Sequence, residues 1–194
     1  MDATHGQEGG EVDLLAAVAM GHQAAFERLY GLYEKRVYHY VCTLVYDGTV
    51  AEEIVGDTML AVWRGAGTFT GTSRVSTWIF GIARHKALDA IRRTSRHHQR
   101  EVELDAAADM PNSQGGPDEV LFRDQLAALT HRALAVLSRE HREILRLVFE
   151  EELPYDDIAA LLAIPANTVK TRVYYAKQRL KEQLVRMGQG ESIQ

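Results

Sequence analysis

Hydrophobic residues recur at intervals of three and four through most of this chain, which is the spacing of amphipathic helices. The pattern begins at Val12, and its most regular part predicts one long helix from about 26 to 44. A second helix is predicted over 50–64 and a third over 77–98, separated by the Gly/Thr/Ser-rich loop 65–76. Nothing in this half has the pattern of a strand.

The second half of the chain has the same helical spacing, interrupted by prolines. A helix is predicted from Val120 to Val136, and Ser138 is placed to cap the next one. The segment 155–184 predicts two helices joined by a tight turn at 163–166, with Asn167 as the cap of the second helix. One face of this last helix carries Val169, Val173, Ala176, Leu180 and Leu184.

The fold class that follows is all-α, with two small helical domains. Residues 99–118 are acidic, then small and rich in Gly, Asn and Pro, which predicts a flexible linker. The first domain is therefore expected at 12–98 and the second at 119–186. Residues 1–11 lack periodicity and are expected to be disordered, and 187–194 are expected to form a flexible tail.

Charge is distributed unevenly around a net value of −5. Residues 1–60 carry ten acidic and three basic side chains, whereas 84–100 and 167–186 each carry six basic and one acidic. Two basic patches in an acidic protein suit two contacts with a polyanion and a separate partner elsewhere. For either patch taken alone, the alternative is an ordinary solvated helix face.

The chain shows no sign of catalytic, metal or membrane chemistry. It has no phosphate-binding glycine loop, nucleophile elbow or paired carboxylates, and its eight histidines lack metal-ligand spacing, so no enzyme activity, metal or cofactor is expected. Cys42, the only cysteine, excludes an internal disulfide and is expected to be a buried thiol. The absence of a long apolar run or a signal peptide predicts a cytoplasmic protein without membrane insertion.

The last helix presents a polar, aromatic and basic face opposite its apolar one. In a helix-turn-helix such a face enters the DNA major groove, where lysine and glutamine reach base edges and tyrosine hydroxyls reach phosphates. The residues expected to bind DNA are Asn167, Thr168, Lys170, Thr171, Arg172, Tyr174, Tyr175, Lys177 and Gln178.

Four blocks of the sequence, in this order, resemble the extracytoplasmic-function (ECF) sigma factors of bacterial RNA polymerase. They are FERLYGLYEKRVYHYV (26–41), AEEIVGDTMLAVWR (51–64), FTGTSRVSTWIFGIARHKALDAIRR (69–93) and the stretch from LSREHREIL to QRLKEQL (137–184). The resemblance implies two helical domains, called region 2 and region 4, that bind core polymerase and recognise the −10 and −35 promoter elements. In that family a dedicated anti-sigma factor covers these surfaces.

The resemblance also implies a role for the second block. The acidic face with Glu52, Glu53, Asp57 and Leu60 corresponds to the surface that docks on the β′ clamp helices of core polymerase, although it is also compatible with a solvated face. Gly56 departs from the larger polar residue expected there. Region 4 is expected to meet the β flap.

The third block corresponds to the segment that opens the −10 element. Asp89 in it has two interpretations with equal weight, a contact to a cytosine amino group or an ion pair with Arg92 or Arg93. Trp78 is expected to be core rather than a stacking platform. The residues expected to contact the −10 element are Phe69, Thr72, Ser73, Arg74, Arg84, His85, Lys86, Asp89, Arg92 and Arg93.

The recognition helix of the fourth block is implied to bind the −35 element, although Tyr175 departs from the basic residue often found at its position. Two other classes of function remain as alternatives. One is a stand-alone helix-turn-helix regulator that binds duplex DNA without polymerase, which leaves the loop 69–76 and the Trp78 helix without a role. The other is a pure protein-interaction module, which would make both basic patches incidental.

Overall fold

The protein is all-α, as the spacing of hydrophobic residues predicted. The computed structural model describes the backbone of residues 3–98 and 132–190 and the side chains of 9–94 and 132–187, and no strand occurs within these ranges. The chain divides into two compact units, Met1–Asp109 and Met110–Gln194. The expected linker 99–118 and the first part of the predicted helix Val120–Val136 lie outside the described residues. No helix within the described part is apolar over a length sufficient to cross a bilayer.

The described part of the first unit, residues 3–98, contains four helices and one 3₁₀ turn. The helices are α1 (Ala3–Ala19), α2 (Gln23–Val41), α3 (Gly48–Gly65) and α4 (Val75–His98), and the turn Ala66–Thr68 follows α3. Helix α3 packs against both α2 and α4, and α1 packs mainly on α2. Their buried faces meet in one core whose largest side chains include Tyr33, Tyr40, Phe80 and Met59.

Helix α1 corrects one expectation about the start of the chain. It begins at Ala3, so the prediction of disorder over 1–11 is wrong for residues 3–11, and it is separated from α2 by Gly21 at φ +83°. The composition of residues 1–11 did not predict this helix, because tertiary contacts hold it in place. Leu15 and Val18 of α1 are buried in the core of the unit. The buried Tyr33 hydroxyl of α2 also donates a 2.7 Å hydrogen bond to Glu11.

The two faces of α3 follow the sequence pattern. Ile54, Val55, Met59 and Val62 are buried as the spacing predicted. Asp47 is the N-cap, because its carboxylate accepts hydrogen bonds from the backbone N–H groups of the first turn, at 2.8 Å from that of Thr49. The helix α3 therefore begins at Gly48, directly after its cap.

The buried face of α4 differs from the one predicted. Trp78 was expected to be core, but it is only half-buried, as is Ile82, whereas Phe80 is fully buried between α2 residues Tyr33 and Tyr40. Helix α4 packs against three other helices, and their positions select which of its apolar residues enter the core.

The second unit is described from the end of a helix at 132–135. It continues with α5 (Arg139–Phe149), α6 (Tyr155–Leu162) and α7 (Ala166–Gly190), and α7 packs against both α5 and α6. The predicted cap Ser138 accepts a 3.3 Å hydrogen bond from the backbone N–H of His141. Because α7 continues to Gly190, the expected flexible tail is helical over 187–190, and only 191–194 lie outside the described residues.

The turn before α7 differs from the predicted one by a single residue. The helix begins at Ala166, and the Pro165 carbonyl accepts the first backbone hydrogen bond, from Thr168 at 2.8 Å. Asn167 therefore lies inside the first turn and does not cap it. Ala163 ends α6 in the left-handed conformation at φ 55°, and this residue turns the chain toward α7.

Two charged residues of α5 are built into the second unit. Arg142 is buried and donates a 2.7 Å hydrogen bond to the Leu137 carbonyl. Arg146 donates from Nε and Nη2 to one carboxylate oxygen of Glu151, at 3.1 and 3.0 Å, and the Glu151 side chain is only 1% exposed. The apolar Phe149 is 54% exposed. At the end of α5 its ring instead lies 5.4 Å below the Lys177 ammonium.

Candidate promoter and polymerase surfaces

The outer face of α3 carries three acidic residues and, toward its C-terminal end, one apolar residue. Glu52, Glu53 and Asp57 are all exposed, and Leu60, one turn further on, is 44% exposed. Gly56 lies on the same face, and a Cβ built there meets no atom within 4 Å, so packing within this chain does not explain the glycine. The four residues expected to contact polymerase thus lie along one exposed side of one helix.

Asp57 is also in contact with α4. Its carboxylate lies 3.3 Å from the ammonium of Lys86, which was placed in the group expected to contact the −10 element. The Asp57 side chain is 63% exposed and that of Lys86 is 28% exposed. The acidic surface of α3 and the basic surface of α4 are therefore joined by an ion pair.

An open groove of about 620 Å³ runs between α3 and α4. Its α4 side is a single stripe at helical spacing, with Trp78 and Ile82 below the charged residues His85, Lys86, Asp89 and Arg93. Trp78 lines this groove and also lies 5.6 Å from the ring of Phe69, so it is neither fully core nor fully exposed. Trp78, Gly81 and Ile82 were not among the expected site residues, although their spacing with His85 and Asp89 would have placed them on the same stripe.

The Asp89 carboxylate is surrounded by basic groups of its own helix. It forms an ion pair with Arg92 and lies 3.2 Å from Nδ1 of His85, and its backbone carbonyl accepts from Nε of Arg93 at 3.4 Å. The hydrogen bond from Arg92, aided by the nearby basic side chains, holds the pKa of Asp89 below its ordinary value. In the free chain Asp89 therefore has the ion-pair role.

The loop before α4 supplies the remaining residues expected at the −10 element. Thr70 and Thr72 are exposed and their hydroxyl oxygens are 3.0 Å apart, with Gly71 between them at φ +72°. Ser73, Arg74 and, in α4, Arg84 are half-buried. The loop and the groove lie on the same unit, and the ring of Phe69 in the loop contacts that of the groove residue Trp78.

The outward face of α7 is built as the sequence pattern predicted. Lys170 and Thr171 are exposed, and Tyr174 and Tyr175 are 59% and 57% exposed. The two tyrosine rings pack edge to face with centroids 5.4 Å apart, and Gln178 Nε2 donates to the Tyr174 hydroxyl at 3.3 Å. Val169, Val173 and Ala176 are buried behind this face and fix its direction.

The other four expected DNA-binding residues of α7 are Asn167, Thr168, Arg172 and Lys177, and they differ in exposure and in contacts. Thr168 and Arg172 are half-buried. Asn167 is exposed in the first turn, where its carbonyl accepts from the Thr171 hydroxyl at 3.0 Å. Lys177 is exposed but stacks on Phe149, so its ammonium is drawn toward α5.

The described part of the chain contains no group of three or more His, Cys, Asp or Glu side chains arranged to hold a metal ion. Cys42 is buried, as expected for a structural thiol.

The comparisons with known proteins agree with this architecture. A family model for Sigma-70 region 2 matches residues 29–97, and one for Sigma-70, region 4 matches residues 127–180. The ECF RNA polymerase sigma factor SigK of Mycobacterium tuberculosis is 30% identical over 173 residues, covering 88% of this chain and 92% of SigK. The RNA polymerase sigma-H factor of Pseudomonas aeruginosa is 25% identical over 177 residues, covering 88% of this chain and 92% of that protein.

Solved structures give the same result. The sigma factor RpoE of Bartonella quintana, in complex with the anti-sigma factor NepR, superposes with a TM-score of 0.67 at 27% identity, covering 82% of this chain and 96% of RpoE. CnrH, in complex with the cytosolic domain of CnrY, shares the fold with a TM-score of 0.62 at 21% identity, covering 90% of this chain and 97% of CnrH.

A helical chain with both of these regions and an exposed helix-turn-helix face is a sigma factor of RNA polymerase. The identity to SigK across nearly the whole length is more specific: the chain belongs to the ECF family of sigma factors. As a member of that family it binds core RNA polymerase, recognises −10 and −35 promoter elements and directs the initiation of transcription.

Proposed function

We propose that this sigma factor divides its task between two domains, 12–98 and 119–186, joined by a linker at 99–118. The first binds core polymerase through α3 and the −10 element through the 69–93 segment, and the second binds the −35 element through α7. The observation that carries this proposal is that each of these three surfaces is exposed and has its own chemistry, acidic on α3, cationic on α4 and polar-aromatic on α7.

The polymerase contact is assigned to the acidic face of α3. Three exposed carboxylates followed by the exposed apolar Leu60 suit a basic helix pair such as the β′ clamp helices, because opposite charges steer the encounter and the apolar side chain is desolvated on contact. Region 4 is assigned to the β flap by family membership.

The −10 contact is assigned to the loop around Gly71 and the outer stripe of α4. Opening a duplex requires that unstacked bases find partners, and stacking on an aromatic ring supplies about 1–3 kcal/mol per base. Phe69 and Trp78 lie side by side at the edge of the groove, beside the cations of α4 that track phosphates. The polar loop residues Thr72 and Ser73 are assigned to a pocket for an extruded base.

The −35 contact is assigned to the exposed face of α7. Lys170 and Gln178 can reach base edges, and the paired rings of Tyr174 and Tyr175 place their hydroxyls toward phosphates. The hydrogen bond from Gln178 to Tyr174 holds both side chains in place before DNA arrives.

The free protein is proposed to be held by an anti-sigma factor in the cytoplasm. The complex of Bartonella quintana RpoE with NepR supports this partner class. The protein itself is proposed to have no catalytic activity, since polymerisation belongs to its partner.

Transcription in vitro with purified core polymerase tests the assignment. Lys170→Ala and Tyr174→Ala are expected to lower promoter-specific initiation about tenfold while leaving co-purification with core unchanged. Charge reversal at Glu53 is expected to weaken core binding instead. Lys181→Ala, an exposed lysine further along α7, is the matched control and should change neither.

Loss of core binding by Lys170→Ala or Tyr174→Ala would contradict the proposed division between the two domains. Tight, salt-dependent binding of the isolated protein to a duplex operator would favour the stand-alone regulator instead. No observation on the structure favours that alternative.

A further inference from the structure

The cations proposed to meet the −10 element are paired with carboxylates of the same unit. Lys86 lies 3.3 Å from Asp57, and Asp89 engages both Arg92 and His85. A carboxylate bound to a lysine or arginine presents the same charge and the same acceptor atoms as a DNA phosphate. Asp57 and Asp89 thus engage the cations that are proposed to contact a backbone phosphate.

The two aspartates differ in where they come from. Asp89 belongs to α4 itself, so its ion pairs stay within one helix. Asp57 belongs to α3, and its side chain is 63% exposed on the face assigned to polymerase. Of these two aspartates, Asp57 is therefore the one that can bind either Lys86 or a cation of a basic polymerase helix.

We propose that Asp57 is a shared ligand that couples polymerase binding to −10 binding. In the free sigma factor it neutralises Lys86 and weakens the hold of α4 on single-stranded DNA. When a polymerase cation binds Asp57, Lys86 is released for a phosphate. This inference rests on the assignment of the α3 face to core polymerase.

Thermodynamic linkage makes the effect reciprocal. If polymerase at Asp57 strengthens DNA binding at Lys86 by some factor, then DNA at Lys86 strengthens polymerase binding by the same factor. Exposed ion pairs limit that factor to about two- to fivefold. Such a contact favours the complex of sigma factor, polymerase and DNA over the complex with polymerase alone or with DNA alone. The free protein therefore spends less time on DNA.

The DNA side is tested by anisotropy, with the full-length protein and a labelled single-stranded oligonucleotide of random sequence at low salt. Asp57→Asn is expected to tighten binding about two- to fivefold. Glu53→Gln removes the same charge from the same exposed helix face, so it controls for net charge and should have a smaller effect. Equal effects of the two variants would overturn the proposal.

The polymerase side is tested by measuring the affinity for purified core enzyme. Lys86→Met keeps the half-buried stem but frees Asp57, and it is expected to strengthen core binding by the same two- to fivefold factor. In the double variant Asp57→Asn/Lys86→Met this gain should disappear. An unchanged core affinity in Lys86→Met would overturn the coupling.

The failures of the two proposals can be told apart. If Asp57→Asn and Glu53→Gln weaken core binding but Lys86→Met has no effect, the α3 assignment stands and the coupling is wrong. If neither carboxylate matters for core binding, the α3 assignment falls and the coupling falls with it. Circular dichroism confirms that each variant remains helical.

Discussion

At the scale of single residues, exposure decides what an ion pair contributes. Glu151 is 1% exposed and its partner Arg146 is 13% exposed, whereas the Arg179–Glu182 pair on α7 is 64% and 50% exposed. Removing one partner of a buried pair leaves a charge without solvent, while an exposed charge is rehydrated at little cost. The same type of contact is therefore structural in α5 and marginal in α7.

Arg146→Met is expected to destabilise the second unit by about 3 kcal/mol, because it removes the guanidinium that pairs with the buried Glu151 carboxylate. Arg179→Met, the matched exposed control, should change the free energy of unfolding by about 0.5 kcal/mol or less. Urea unfolding followed by circular dichroism measures both. Equal effects would mean that Glu151 is solvated in solution.

The Asp89 carboxyl is expected to titrate below its ordinary pKa of 3.8, because Arg92 hydrogen-bonds to its charged form. Since the folded-state pKa is the lower one, its contribution to stability is present above pH 3.8 and is lost as the pH falls through the folded-state value. A carboxyl NMR titration of Asp89 in the wild type and in Arg92→Ala measures this. The midpoint should rise in the variant, and an unchanged midpoint would show that Arg92 is not the cause.

At the scale of helices and turns, the ends of the helices carry much of the specificity of the fold. Asp47 and Ser138 cap α3 and α5 through their side chains. Ala163 ends α6 without a glycine, although a left-handed conformation costs an L-residue roughly 1–2 kcal/mol. The turn between the two helices of the DNA-binding motif is thus strained at one residue.

Ala163→Gly is expected to stabilise the second unit by about 1 kcal/mol, because glycine adopts the left-handed conformation without a Cβ clash. Ala160→Gly, at an exposed position inside the same helix, should destabilise by a similar amount. Thermal unfolding of both variants measures the difference. A lower melting temperature for Ala163→Gly would show that the turn has another conformation in solution.

A hydrogen bond joins α1 to α2. The Tyr33 hydroxyl donates to Glu11, and burial together with this bond raises the pKa of Tyr33 above its ordinary value. Tyr33→Phe is expected to cost about 1 kcal/mol. In a double-mutant cycle with Glu11→Gln, measured by urea unfolding, the two losses should not add, and full additivity would indicate that α1 docks without this bond.

At the scale of the whole molecule, the protein is proposed to bind promoters at two points with separate domains. Neither contact then has to be strong by itself, because the linker and the polymerase raise the effective concentration of each domain at its element. The two compact units fit this arrangement.

On a promoter without the −35 element, substitutions in α7 should therefore have no effect on open-complex formation, whereas substitutions in α4 should still lower it. On a promoter selected with the wild-type holoenzyme, Lys170→Ala is expected to lower open-complex formation about tenfold, but to have no further effect when the −35 sequence is scrambled. Arg93→Ala should still lower it on the scrambled template. Abortive transcription assays measure both, and an effect of Lys170→Ala on the scrambled template would contradict the two-point model.

The sequence by itself determined the helical class, the two faces of α3 and the outward face of α7. These features follow from local physics: apolar residues at helical spacing define a buried stripe, and Ser138 before such a stripe defines a start. The four blocks also identified the family, because their order and spacing are more specific than any single motif.

Only the tertiary structure decided which residues meet across helices. The spacing in α4 did not distinguish Phe80 from Trp78 as the deepest residue, because the neighbouring helices make that choice. Composition missed most of α1, since it is held by contacts to α2. The ion pair between Asp57 and Lys86 joins residues 29 positions apart, and its existence depends on how α3 and α4 pack, which no local pattern encodes.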